Sequence, residues 1–248
     1  METKKLAGAA VVLMTVVGVL VVFVGLPAAQ TQFHYEAQYP SGETRHVMLL
    51  LDDFDTTPTD ISIRFVDDPT LMYSIVVTQY ESGRHHSLQH NELEERIIVE
   101  VGQTIGGSQT SSVDITLGTG TYYIISIDGD LLNVDITYDN GAVINGQDVV
   151  VTSYHNGSLD FVFTEDVNFT SSGINIRTTY DVDVLLDINL PDGMNGLLTI
   201  PMSTSFASSS MVGWGQTSLT EISTSATTEP LLDFSHETSG TIGGFLSD

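Results

Sequence analysis

Cysteine is absent from this 248-residue chain, and seven lysines and arginines stand against 32 aspartates and glutamates, so its chemistry rests on carboxylates and histidines. The densest imidazole group is His85, His86 and His90, followed by Glu92, Glu94 and Glu95. On a helical turn His86 and His90 would share a face and Glu94 could add a third ligand, as a zinc site requires. In a loop between two strands the same residues are merely polar. Acid clusters raise calcium instead: Asp52, Asp53 and Asp55; Asp67 with Asp68; Asp128 with Asp130 around Gly129. Calcium takes about six to eight oxygens from a bent loop, and none of the clusters has the full spacing of such a loop. No cofactor and no metal site is therefore expected, Ca2+ being the one cation for which the clusters hold suitable oxygens.

Nucleophile motifs fail by inspection. The chain has no Gly-x-Ser-x-Gly elbow, no His-Glu-x-x-His and no phosphate-binding Gly-Lys-Ser/Thr loop. A glycosidase pair picked from so many acids would be arbitrary, so an enzyme is not expected. Two Asn-x-Ser/Thr acceptors stand out, Asn156-Gly157-Ser158 and Asn168-Phe169-Thr170, and these are the expected glycosylation sites.

Glycosylation presupposes export, and the N-terminus supplies a route. Lys4 and Lys5, the chain's only lysines, precede a charge-free apolar run from Leu6 to Leu26. At ~1.5 Å per residue such a helix is about 31 Å long, enough to cross a bilayer, and the lysines hold residues 1–5 in the cytoplasm. The expectation is a signal anchor over 6–26 with everything beyond it outside the cell. A cleaved signal peptide ending at Pro27, Ala28 and Ala29 exports the chain equally well.

The formal net charge is −25; Glu2, Lys4 and Lys5 sum to +1, so residues 30–248 carry −26. That excess repels itself in dilute buffer, whereas molar salt shortens the Debye length to about 3 Å. Replacement of lysine by acids and a few arginines reads as adaptation to high salt. The same charge excludes nucleic acid and anionic headgroups, which need a basic footprint. Without cysteine, no disulfide can brace the exported part.

From Phe33 to Ile200 the pattern is short β-branched and aromatic runs broken by turn residues. Asn140-Gly141, Asn145-Gly146, Asn156-Gly157 and Asn195-Gly196 read as hairpin turns. The expected fold is an all-β, antiparallel sandwich or jelly roll: a first sandwich over 30–140, a second β-region over 141–202, and a Ser/Thr-rich tail over 203–248. The tail's apolar residues, Trp214 and Phe234 among them, suggest docking on a neighbour, or folding back onto the chain's own sandwich.

The function expected from these readings is structural or adhesive: an anchored, outward-facing glycoprotein of a halophilic cell or of a membrane-containing virus infecting one. Its partners would be the bilayer through the N-terminal helix, and copies or other proteins through strand edges or the tail. The alternative is an extracellular module of a larger complex that recognises a solute or glycan, for which Phe33, Tyr35, Tyr39 and Trp214 are the aromatic candidates.

Overall fold

The computed structural model describes residues 30–54, 59–80, 86–103, 109–130, 132–144, 147–153, 157–163, 168–169, 173–180, 184–190, 194–200, 205–224, 231–236 and 241–247. All regular structure among them is strand: β1 (Gln30–Gln38), β2 (His46–Phe54), β3 (Thr59–Phe65), β4 (Leu71–Tyr80), β5 (His86–Glu92), β6 (Arg96–Gln103) and β7 (Gln109–Leu117). Then follow β8 (Tyr123–Gly129), β9 (Leu132–Tyr138), β10 (Val143–Ile144), β11 (Gln147–Ser153), β12 (Gly157–Phe163), β13 (Asn168–Phe169) and β14 (Gly173–Tyr180). The last are β15 (Val184–Asn189), β16 (Asn195–Thr199), β17 (Ser205–Met211), β18 (Gly215–Gln216), β19 (Glu221–Ser223), β20 (Leu231–His236) and β21 (Thr241–Ser247). No helix among the described residues is long and apolar enough to cross a membrane, and the expected anchor over 6–26 lies outside the described residues.

Period-two alternation makes these segments strands. In β3, Thr59, Ile61, Ile63 and Phe65 are buried while Asp60, Ser62 and Arg64 are exposed; β9 repeats the pattern with Leu132, Val134, Ile136 and Tyr138 inward. The strands form a nine-stranded sheet, β1-β4-β7-β3-β9-β12-β15-β21-β17, and a ten-stranded sheet, β18-β19-β16-β20-β14-β11-β8-β2-β6-β5, with β10 and β13 as a short parallel pair. The inward rows of the two sheets meet in one core. Phe65 stacks on Tyr138 at 4.7 Å and meets Tyr123 of the other sheet edge-on at 5.8 Å, and the Tyr123 hydroxyl donates to the Met72 carbonyl at 2.8 Å.

The chain runs as a stack of coils, not as an antiparallel sandwich, and this corrects the expected topology. It crosses from the ten-stranded to the nine-stranded sheet in each coil: β8 to β9, β11 to β12, β14 to β15. These three coils lie parallel on one another, Tyr123 opposite Gln147 and Gln147 opposite Ile174, offsets of 24 and 27 positions. Antiparallel pairing is confined to the ends, β1-β4-β7 and β5-β6 at one and β16-β19-β18 at the other. The error lies in the turns. Gly141 has φ of +83°, and the Ala142 amide donates to the Asp139 carbonyl at 3.0 Å, but this turn leads from β9 to β10 around the corner of a coil. Asn195-Gly196 is no turn at all and opens β16.

Domain organisation follows the coils. Across residue 140, where a boundary between two β-regions is expected, β9 and β12 pair rung for rung from Asn133–Ser158 to Tyr138–Phe163. The stretch 203–248, read from composition as a tail, supplies β17, β20 and β21 to the two sheets, and Trp214, Leu232, Phe234 and Leu246 are buried. These four side chains fold back onto the chain's own core, while Met211, Val212 and Leu219 stay exposed. The coil order is also permuted: β20 and β21 pair between β14–β15 and β16–β17, which precede them in sequence.

Candidate functional site

The outer faces of the two sheets differ in chemistry. On the nine-stranded sheet the outward row runs from Val76 into four successive polar positions, Asp114, Ser62, Asp135 and Asp160. On the ten-stranded sheet the corresponding row passes from Asn91 on the edge strand through Ile98, Met48 and Ile124 and turns polar again at Asp148. There the surface forms an open groove of about 570 Å³ across β8, β11, β14, β20 and β16.

Two outward rows build it. One passes from Ile124 through Asp148 and the Asn175 position to Asp233; the other passes from Ser126 through Val150 and Arg177 to Ser235 and Thr199. Because alternate residues of a strand share a face, Asp148 and Val150 stand side by side on β11, as do Asp233 and Ser235 on β20. Arg177, exposed on the middle strand, occupies the position diagonal to both aspartates, about 8 Å from each by strand geometry. Ile124 and Val150 give the floor an aliphatic patch.

Asp148 is held in place by Tyr122, whose hydroxyl donates to Oδ2 at 2.6 Å. Burial, and then the carboxylate it serves, push this phenol well above the usual tyrosine range, so it stays a neutral donor at any physiological pH. His46 packs edge-on against the Tyr122 ring at 5.0 Å. Two half-buried carboxylates, a guanidinium, hydroxyls and an aliphatic floor make a surface that hydrogen-bonds in both directions.

None of these residues stands out in sequence. The signals available were the isolation of Arg177, the only lysine or arginine after Arg96, and a coil offset that was hidden until the register was known.

The sequence-derived candidates fall elsewhere. His86 and His90 lie on β5, a strand, so their Cα positions are about 13 Å apart instead of one helical turn, which corrects the zinc geometry. His90 Nδ1 lies 3.0 Å from the Tyr73 hydroxyl and Nε2 lies 3.9 Å from Glu92; His85 is outside the described residues, and Glu94 is exposed between β5 and β6. Among the described residues no three metal-ligating side chains converge.

Of the calcium candidates, Asp68 is engaged in its own turn. It accepts from the Thr70 amide and hydroxyl at 2.8 and 2.7 Å and from the Leu71 amide at 3.2 Å, bonds that hold its carboxyl below the ordinary range. Asp52 and Asp53 lie in β2, Asp67 precedes the Asp68 turn, and Asp128 and Asp130 flank the passage from β8 to β9; Asp55 is outside the described residues. Asn156 is likewise outside them, and Asn168 begins β13, in parallel register with Val143.

The aromatic candidates do not line the groove. Phe33 and Tyr35 are half-buried on β1, Tyr39 donates its hydroxyl to the Arg45 carbonyl at 2.6 Å, and Trp214 is buried. Arg45 is a structural hub: its guanidinium bonds Glu43, Glu92 and the Leu93 carbonyl, fastening the loop after β1 to the β5–β6 turn.

No protein-family model and no curated protein sequence matches the chain. Among solved structures, one from Clostridium sporogenes, described as that of a candidate cell adhesion protein, is similar in fold at a TM-score of 0.57. The identity is 8%, and the match covers 89% of this chain and all of the other.

Proposed function

We propose that the chain is an outward-facing adhesive or structural protein, held to a bilayer through residues 6–26, on a cell or membrane-containing virus bathed in high salt. The observation that carries this reading is the coil stack. Eight spacings of about 4.8 Å make the nine-stranded sheet roughly 38 Å long, and such a stack presents two broad faces and open edge strands to partners. The similarity in fold to a candidate cell adhesion protein supports the same direction. The excess of acid keeps the faces hydrated and apart in dilute solution and lets them approach when salt screens them. Asn156 and Asn168 are the proposed glycan acceptors.

Reconstitution tests this. The full chain inserted in neutral-lipid vesicles in molar salt should cluster the vesicles or attach them to envelope preparations, read by light scattering and sedimentation. Vesicles that stay dispersed and unattached would overturn the adhesive role, and a chain that fails to float with the lipid would overturn the anchor.

A further inference from the structure

The groove on the ten-stranded sheet is more selective than a general adhesive face requires. Asp148 and Asp233 can accept hydroxyl protons, Arg177 donates through a planar fork, and Thr199 and Ser235 do both. Between them Ile124 and Val150 offer an aliphatic floor for the C–H face of a ring. Tyr122 fixes Asp148 beforehand, which lowers the ordering cost a ligand must overcome.

Charge and shape narrow the ligand. Two carboxylates against one guanidinium leave the groove itself net negative and disfavour phosphates, sulfates and uronates in direct contact. A bare cation would meet Arg177 between the two acids. Among the described residues that line the groove no aromatic ring offers a nucleobase a stacking surface. What remains is a neutral molecule rich in hydroxyls, and the groove crosses five strands, about 19 Å at the usual strand spacing, long enough for several sugar units. We infer that this groove binds a neutral linear saccharide laid across β8, β11, β14, β20 and β16. The inference rests on the adhesive reading and supplies the ligand class that adhesion would use.

Calorimetric titration of the detergent-solubilised full chain in molar salt tests it, with maltohexaose, cellohexaose and chitohexaose as neutral probes and hexagalacturonate as the anionic comparison. At least one neutral probe should bind. Arg177→Ala and Asp233→Asn should each weaken it by about tenfold or more, while Asp135→Asn on the opposite sheet leaves it unchanged. Should either groove variant melt early, Thr199→Val and Ser235→Ala test the same contacts by removing single hydroxyls. The site is overturned if no neutral probe binds at millimolar concentration, if the groove variants bind as well as the parent chain, or if hexagalacturonate binds most tightly. Vesicle clustering without saccharide binding overturns the site alone; saccharide binding by a chain that clusters nothing leaves the site standing and overturns adhesion.

Discussion

A methyl group added to Gly196 would lie 2.1 Å from Cη2 of Trp214, because the indole fills the place where a side chain at 196 would point. Gly196 continues the inward row that carries Val47, Tyr123 and Leu232 on other strands of the sheet. The segment bearing the indole is bonded to the same residue: the Gly196 amide donates to Thr224 Oγ1 and the Thr224 amide to the Gly196 carbonyl, both at 3.0 Å. Gly196→Ala should therefore destabilise by about 1–3 kcal/mol through overpacking, and Trp214→Ala by about 3–5 kcal/mol through the void it leaves. The two effects should be markedly non-additive in a double-mutant cycle followed by thermal melting, since both act on one contact. Full additivity would show that the indole packs elsewhere.

Truncation after Met202 removes β17 to β21, and with them the buried Leu232, Phe234 and Leu246. Because β20 and β21 sit between β14–β15 and β16–β17, the cut takes out an internal coil and leaves β16 detached. Losing three such side chains costs several kcal/mol, comparable with the whole stability of a domain of about 5–15 kcal/mol. The truncated chain should lose its cooperative melt by circular dichroism in molar salt. A melt like that of the full chain would mean that this segment is dispensable to the fold.

Alternation within the strands was legible; their partners were not. Ile61, Ile63 and Phe65 face inward in β3, as their spacing predicts, and the same holds for β8 and β9. Period two sets the face of a residue but does not distinguish a neighbour ten residues away, as in a hairpin, from one 24 away, as Gln147 is from Tyr123. Asn140-Gly141 favours positive φ at Gly141 in either setting. Residues 205–211, Ser-Phe-Ala-Ser-Ser-Ser-Met, carry little β-branched character, and pairing with β21 makes them a strand where composition did not. The groove was illegible for the same reason: Asp148, Arg177 and Asp233 come together only through inter-coil register.

Alkaline pH should unfold the chain through its core tyrosines. Burial raises the Tyr123 and Tyr138 phenols above the usual value near 10, so both favour the neutral form in the folded state. A raised folded-state value means that their contribution is complete below pH of about 10 and is lost as pH rises toward the folded value. Denaturant midpoints measured across that window should fall steeply, and less steeply in Tyr138→Phe, which keeps the stack on Phe65. A flat profile to pH of about 12 would show that these rings ionise without cost.

Repulsion on particular rungs predicts a salt dependence of stability. On the outer face of the nine-stranded sheet Asp135 and Asp160 are register partners on adjacent strands, and Asp187 takes the next position. Like charges opposite one another across a sheet repel, by about 1 kcal/mol at most near 5 Å in water, and molar salt removes nearly all of that. Asp135 is exposed, so replacing it perturbs little besides charge. Asp135→Asn should therefore raise the melting temperature in dilute buffer by a small, measurable amount and leave it unchanged in molar salt, while the parent chain melts lower as salt is withdrawn. A variant that gains equally at both salt concentrations would show that the asparagine acts through hydrogen bonding. A parent chain whose melting is indifferent to salt would overturn the reading of its acid excess as an adaptation to high salt.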